Sequence, residues 1–321
     1  MWVPLLLLIL GFVALVWSAD KFLSGAAACA TNLGVSKMLI GLTVVSVGTS
    51  APEILVALFA ALEGNPLLAV GNAFGSNIAN IGLVLGITAI VAPLPFSRSV
   101  RRAELPWLLA ATFLALALTF DHDLTFFDGV ALLLCLGAIL WRLIKGQPGQ
   151  DQELSAAITE ELDELPEMTT LQAVAWLIVG LLVLLVSAQV LVHAASTIAE
   201  RLGVSDMIIG LTIVAVGTSL PELAATVGSA IKGHTDIAIG NVVGSNILNI
   251  LAVLSVPGLI GGVDIPPVSF WRDGGMMLAL TLMLALFAYG INSRPVITRF
   301  EGLVMLAAWI GYNLLLVQVA R

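Results

Sequence analysis

Charge is what this chain has least of: Lys, Arg, Asp and Glu make up 11% of its 321 residues, against about 25% in an ordinary soluble domain. Hydrophobic residues make up 59% and the mean hydropathy is +1.06, more apolar surface than a water-soluble core of this size can hide. The chain therefore belongs in a bilayer. Its basic residues form no patch or stripe, which leaves no footprint for a nucleic acid. Cys29 and Cys135 lie in different apolar segments without metal-like spacing and read as small buried hydrophobes. The three histidines build no Ser/His or His/carboxylate constellation at membrane depth: His122 and His234 fall in loops, and His193 sits late in a span. This argues against an intramembrane hydrolase. The first twenty residues lack the positive n-region of a secretory signal and their apolar run is too long, so a retained first helix is expected.

What is present is ten apolar runs, near 2–23, 39–62, 67–92, 104–121, 126–145, 171–196, 206–231, 236–260, 272–290 and 300–319. Each is long enough to span a hydrocarbon core of about 30 Å. Nothing alternates with the period of a barrel strand, so all ten are expected to be helices. Between the fifth and sixth lies the acidic stretch Asp151 to Glu167, which supplies much of the net charge of -8. The expected organisation is a first five-helix repeat over 1–145, an acidic linker over 146–170 and a second five-helix repeat over 171–321.

The repeats are visible residue by residue. Gly41-Leu42-Thr43-Val44-Val45-Ser46-Val47-Gly48-Thr49-Ser50-Ala51-Pro52-Glu53 returns 169 positions later as Gly210-Leu211-Thr212-Ile213-Val214-Ala215-Val216-Gly217-Thr218-Ser219-Leu220-Pro221-Glu222. At the same offset, Gly71-Asn72-Ala73-Phe74-Gly75-Ser76-Asn77-Ile78-Ala79-Asn80 matches Gly240-Asn241-Val242-Val243-Gly244-Ser245-Asn246-Ile247-Leu248-Asn249. An odd number of spans per unit makes the second copy enter the membrane from the opposite side. The alternate loops holding Lys21, Lys37, Arg98, Arg101, Arg102, Arg142, Lys145, Lys232, Arg294 and Arg299 are expected in the cytoplasm, leaving Arg201, Arg272 and Arg321 outside with both termini. The linker is then cytoplasmic, a solvated connector.

Glu53 falls about twelve residues into its span, near mid-membrane at about 1.5 Å per residue, and Glu222 is equivalent. A carboxylate there costs at least about 2.5–3.5 kcal/mol and needs a cation, a proton or a polar cavity. Pro52 and Pro221 each remove a backbone donor from the helix, so a kink or break is expected beside each carboxylate, freeing the carbonyls of Gly48 and Gly217. Those carbonyls and the hydroxyls of Thr49, Ser50, Thr218 and Ser219 would join the carboxylates as oxygen ligands. The competing reading is that Ser50-Ala51-Pro52-Glu53 and Ser219-Leu220-Pro221-Glu222 are S-x-x-E capping boxes that merely restart a helix.

In the second block, Gly71 and Gly75, like Gly240 and Gly244, form small-x-x-x-small faces that read as close helix packing. Ser76 with Asn80, and Ser245 with Asn249, are four apart and present a hydroxyl and an amide oxygen on one helical face. Asn72, Asn77, Asn241 and Asn246 are evenly balanced between packing and lining a pathway. The candidate ligands are all oxygens, which favours hard cations such as Ca²⁺ or Na⁺ over zinc or copper.

With the G-T-S-x-P-E and G-N-x-x-G-S-N-x-x-N blocks in two copies, the whole chain resembles the calcium/cation antiporter superfamily, most closely its sodium/calcium exchangers. The resemblance implies an all-α polytopic membrane protein of ten transmembrane helices, two inverted five-helix repeats with broken helices at the ion site. It implies Glu53 and Glu222 as principal ligands, Thr49, Ser50, Thr218 and Ser219 as hydroxyl or carbonyl ligands, and backbone carbonyls from Ser46 and Ala215. Ser76, Asn80, Ser245 and Asn249 carry over from the second block. Some relatives have an acid at Asn80 or Asn249; an acid at the latter goes with potassium use, so Asn there argues against potassium dependence. The implied function is exchange of Na⁺ for Ca²⁺ across the inner membrane, without a cofactor or an enzymatic step. The ions are the substrates, the bilayer is the surrounding, no nucleic acid is involved, and a monomer is compatible with the whole site. The alternatives are a proton/calcium antiporter on the same fold, whose acidic motif differs, and a cation channel. No large calcium-sensing domain is expected.

Overall fold

The computed structural model describes residues 2–35, 48, 50–98, 100–145, 168–233, 235–289 and 295–319. The linker expected at 146–170 lies outside the described residues except for its last three. The described elements of the two halves follow the same order. The first begins with α1 (Trp2–Asn32), then α2 (Ala51–Leu62) and α3 (Pro66–Ala79). A π-helical turn (Asn80–Leu85) leads from α3 to α4 (Gly86–Val91). After β1 (Leu94–Pro95), a second π turn (Val100–Glu104) enters α5 (Leu105–Leu118); β2 (Asp123–Leu124) and α6 (Phe126–Lys145) complete the half.

The second half opens with α7 (Thr170–Leu202) and α8 (Asp206–Thr218), the latter containing a π turn (Gly210–Val214). Then come α9 (Leu220–Ile231), α10 (Thr235–Leu248), a π turn (Asn249–Val253) and α11 (Ser255–Ile260). β3 (Val263–Asp264), α12 (Pro267–Tyr289) with a π turn at Phe270–Gly274, β4 (Val296–Ile297) and α13 (Arg299–Val319) finish the chain. Elements α2 and α9, α3 and α10, and α4 and α11 begin and end at equivalent residues. The left-handed turns also coincide: Gly34 and Gly203 follow the first helix of each half (φ +79° and +66°), and Gly64 and Gly233 follow α2 and α9 (φ +81° and +92°). Only glycine adopts that conformation without steric cost.

The result is an all-α polytopic membrane protein. Among the described residues six helices are long and apolar enough to cross a membrane, and the bent pair α8–α9 makes a seventh. Apolar side chains such as Leu6, Ile9 and Val13 on α1, Leu182 and Val186 on α7, and Leu314 and Val317 on α13 are exposed. Most of the described polar side chains of the two repeated blocks are buried instead, Glu53, Asn80, Glu222 and Asn249 among them, the reverse of a soluble protein. The expected spans 2–23 and 171–196 are shorter than the helices that form: α1 and α7 continue through small residues that still pack, as Ser24, Gly25, Ala27, Ser196, Ile198 and Ala199 are buried.

The halves are packed reciprocally. α3 lies on α8, and α2 lies on the π turn at Asn249–Val253 and on α11. α9 in return lies on the π turn at Asn80–Leu85 and on α4. α13 packs on α4 as α6 packs on α11. Strands exchange the same way, β1 pairing antiparallel with β4 and β2 with β3. α1 and α7 cross each other where Gly11 meets Leu191 and Gly180 meets Phe22, contacts that are equivalent under the duplication. The adjacent charges within α1 pair locally: Lys21 Nζ lies 2.9 Å from Asp20 and over the Trp176 ring of α7 at 5.8 Å.

A side chain on Gly180 would collide with the Phe22 backbone. Gly180→Val is therefore expected to lower stability by about 1–3 kcal/mol, read as a lower thermal midpoint in detergent. Gly137→Ala, where nothing lies within 4 Å, is expected to show no loss.

Candidate functional site

Four acids are buried among the described residues, Glu53, Glu222, Asp273 and Glu301, and they fall into two classes. Asp273 takes hydrogen bonds from Arg272 Nε and Nη2 at 2.6 and 2.8 Å and from the Tyr312 hydroxyl at 2.7 Å. Glu301 accepts the Thr298 amide at 2.6 Å in the first turn of α13, as Asp128 accepts the Thr125 amide at 2.8 Å in α6. Those acids hold structure together. Glu53 and Glu222 are 0% exposed, and all four of their carboxylate oxygens lack a hydrogen-bond partner. Burying an uncompensated charge is too costly to be incidental.

Both carboxylates sit in the first turn of a helix. Ser50 and Ser219 occupy the N-cap positions of α2 and α9, and Pro52 and Pro221 follow within the first turn, where a missing N–H costs no hydrogen bond. The axis bends by 42° between α8 and α9. Pro221 thus breaks the helix as its position in the sequence implies, and it offers no donor to the Gly217 carbonyl. The capping-box reading fails: neither Ser50 nor Ser219 makes a side-chain cap bond, and the glutamates do not reach back. Thr169 and Gln172 at the start of α7 show what a true box looks like, with both reciprocal bonds formed. The hydroxyls and carboxylates at the two helix starts are therefore available for another partner, and the amide dipoles at each start favour negative charge there.

The second block completes the wall. Gly71 and Gly75 of α3 and Gly210 of α8 permit a backbone approach that a methyl group would prevent, since a side chain on Gly71 would meet the Met207 carbonyl and one on Gly75 the Ala215 side chain. For this pair the packing reading holds. The equivalent Gly244 has nothing described within 4 Å, and Gly240 faces only Glu104 and Val100, so among the described residues that face is not closely packed. The approach of α3 to α8 brings Ser76 Oγ to 3.4 Å from Thr218 Oγ1. Asn72 joins three pieces: its Nδ2 donates to the Glu53 carbonyl at 3.4 Å, and its Oδ1 accepts from Thr218 at 3.3 Å and from Ser76 at 3.5 Å. Two buried carboxylates sharing one site would repel one another if both were ionised.

Of the expected ligands, Ser50, Glu53, Ser76, Asn80, Ala215, Thr218, Ser219, Glu222, Ser245 and Asn249 are all buried. Ser46 and Thr49 lie outside the described residues. Unpartnered polar atoms concentrate here: Ser50 Oγ, Ser219 Oγ, Ser245 Oγ, Asn80 Oδ1 and both amide atoms of Asn249. The Ala215 carbonyl is already engaged by the Ser219 amide at 3.0 Å and the Thr218 hydroxyl at 3.3 Å. Asn80 and Asn249 each open a π turn, a helix defect common at functional sites. Sequence reasoning passed over Thr226, buried with its hydroxyl unpartnered one turn beyond Glu222. Its i, i+4 spacing from Glu222 was the available signal, masked because its repeat counterpart is Ala57. Among the described residues no three His, Cys, Asp or Glu side chains converge as a metal cluster. Two carboxylates within hydroxyl and amide oxygens are the donor set of a hard cation.

The sodium/calcium exchanger protein family matches residues 3–145 and 172–318. The chain is 46% identical to the candidate antiporter CaxA of Alkalimonas amylolytica, over 98% of this chain and 99% of that protein. It is 39% identical to the inner membrane protein YrbG of Escherichia coli over 90% of each. A solved structure of the sodium-calcium exchanger NCX_Mj, soaked with Na⁺ and Sr²⁺, superimposes with a TM-score of 0.65 at 32% identity, covering 99% of this chain and 98% of that one.

Because Ser219 does not cap, Ser219→Ala is expected to leave stability within about 0.5 kcal/mol, whereas Thr169→Ala loses about 1 kcal/mol. Without divalent ions, Glu222→Gln is expected to unfold at or above the native midpoint in detergent. A capping role predicts a fall.

Proposed function

The chain belongs to the sodium/calcium exchanger protein family, and from that premise we propose that it is a secondary antiporter exchanging Na⁺ for Ca²⁺ at a site centred on Glu53 and Glu222. The observation that carries this is the pair of buried acids, one per half, whose four oxygens have no hydrogen-bond partner among the described residues. Thr49, Ser50, Ser76, Asn80, Thr218, Ser219, Ser245 and Asn249 supply further oxygens, with carbonyls from Ser46 and Ala215. Two carboxylates neutralise one Ca²⁺, and the same oxygens serve Na⁺, so each ion excludes the other. The names of the family and of NCX_Mj support sodium as the coupling ion. Asn at 80 and 249 leaves no third acid for a potassium-dependent site.

In this reading the fold is ten spans in two inverted repeats, 1–145 and 171–321, joined by a cytoplasmic linker over 146–170, with both termini outside and the inner membrane as location. Three observations support it. Packing between the halves is reciprocal; β1 pairs with β4, and both lie in connections assigned to the cytoplasm by charge; β2 pairs with β3 in connections assigned to the outside. YrbG is named as an inner membrane protein, which supports the location.

The mechanism follows from the site. An ion entering from one side shields the carboxylate repulsion and supplies the partners that Glu53 and Glu222 lack. A loaded cavity can then close and reopen on the other side. An empty one must carry ionised carboxylates through a closed apolar state, at a cost of at least about 2.5–3.5 kcal/mol each. Switching only when loaded is what makes exchange obligatory.

Sodium-loaded proteoliposomes diluted into sodium-free buffer are expected to take up radioactive calcium, with no requirement for potassium. Glu53→Gln or Glu222→Gln is expected to slow uptake by about a hundredfold or more, the loss of about 3 kcal/mol of charge neutralisation. Calcium uptake driven by a pH gradient without sodium assigns proton coupling instead, and uptake unchanged in both Gln variants overturns the site.

A further inference from the structure

Asn80 and Asn249 are equivalent by sequence, yet their amides are not treated alike. Asn80 Nδ2 donates to Asn246 Oδ1 at 3.0 Å, and Asn246 Nδ2 donates to the backbone carbonyl of Asn77 at 3.4 Å. A backbone carbonyl can only accept, so it fixes which end of the Asn246 amide faces it. Oδ1 of Asn246 must then point back toward Asn80, and only the Asn80 nitrogen can answer it. Asn80 Oδ1 is left turned away, on a side chain that is 0% exposed, with no partner. One carbonyl thus sets the polarity of a chain of two amides that ends on an oxygen.

The other half lacks this arrangement. Asn77, the counterpart of Asn246, donates to the Ala73 carbonyl of its own helix at 2.8 Å. Asn249, the counterpart of Asn80, has neither amide atom bonded among the described residues. No described hydrogen bond fixes which end of its amide faces the site.

We propose that Asn246 is a positioning residue that aims the Asn80 side-chain oxygen at the bound cation. The proposal rests on the reading of Asn80 as a ligand of the exchange site. Asn246 touches no ion. It denies Asn80 the flipped orientation, in which an NH₂ group would face the cation, and so removes a reorganisation that binding would otherwise require. Because Asn246 belongs to α10 and Asn80 opens the π turn after α3, the ligand of one half is oriented by a side chain of the other.

The test is equilibrium binding of radioactive calcium to the purified full chain in detergent, with thermal unfolding as the check on folding. Asn246→Leu keeps the volume and removes the hydrogen bonds; Asn246→Ala removes both. Each is expected to weaken calcium binding about tenfold. In an Asn80→Ala background, Asn246→Leu is expected to change affinity no further, because its effect passes through Asn80. Losses that add, native affinity in Asn246→Leu, or failure of both variants to fold overturn the proposal, the last by assigning Asn246 a purely structural role. The underlying site is judged separately. Native protein that binds no calcium, or Glu53→Gln that binds as the native does, overturns the site itself. Calcium binding lost in Glu53→Gln together with additive Asn246 effects overturns only the role of Asn246.

Discussion

A carboxylate buried in apolar surroundings without a partner is the constraint on which the rest of this structure depends. Such a group is costly wherever it occurs, and more so in a bilayer, where no water stands by to solvate it. Asp273 and Glu301 show that the fold can satisfy buried acids when their task is structural, with Arg272 and Tyr312 in one case and the first-turn amides of α13 in the other. Glu53 and Glu222 have no hydrogen-bond partner for their carboxylates among the described residues. What surrounds them is oxygen-rich and positioned at helix starts: Ser50 and Ser219 without caps to make, and Thr218 and Ser76 within 3.4 Å of each other. A proline in the first turn marks both helix starts, and a π turn follows both α3 and α10, beside acids whose oxygens have no hydrogen-bond partner among the described residues.

Neither half could hold this arrangement alone. The first block of one half is covered by the second block of the other, α8 by α3 and α2 by the turn after α10. Without its partner each half would present a carboxylate, two hydroxyls and several amides to hydrocarbon. The close approach of α3 to α8, made possible by Gly71, Gly75 and Gly210, buries these groups against one another. In a membrane, where apolar burial gives little drive for helices to associate, such small-residue contacts and cross-helix hydrogen bonds carry much of the packing. The exchange of strand partners, β1 with β4 and β2 with β3, closes the two ends of the assembly in the same reciprocal manner.

Much of this was legible before any coordinates. The carboxylates stand out by residue type in an apolar run, and Pro221 marks the bend between α8 and α9. The offset of 169 positions predicted elements that do begin and end in step. What stayed illegible depended on three-dimensional partners. The S-x-x-E pattern fits a capping box on spacing alone; only the absence of cap bonds separates it from the real box at Thr169. The ends of α1 and α7 were set too early, because hydropathy falls at Ser24 and Ser196 while packing between the helices continues. Asn246 could not be separated from Asn77, Asn72 or Asn241, since an amide's role is fixed by what its two ends face. Thr226 went unread for the opposite reason: attention to the repeat hides a residue that the repeat does not share.

Those departures from symmetry bear on how a duplicated site can work. Two identical half-sites would give an ion the same surroundings in both, and nothing in the binding step would distinguish one half from the other. Here Glu222 has a hydroxyl one turn away where Glu53 has the methyl group of Ala57, and the amide of Asn80 is held by Asn246 while that of Asn249 has no hydrogen bond among the described residues. In the proposed exchange, the first half meets the ion with an oxygen already aimed. The second must order an amide when the ion arrives, and ordering a side chain costs about 0.5–1.5 kcal/mol of rotamer freedom. The amide that holds Asn80 also crosses from one half to the other. Any movement of α10 against the turn after α3 would release it, so the same displacement that reopens the cavity would loosen its own ligand. A site built this way binds firmly while the halves are in register and weakly when they part, and an antiporter needs that difference between holding an ion and letting it go.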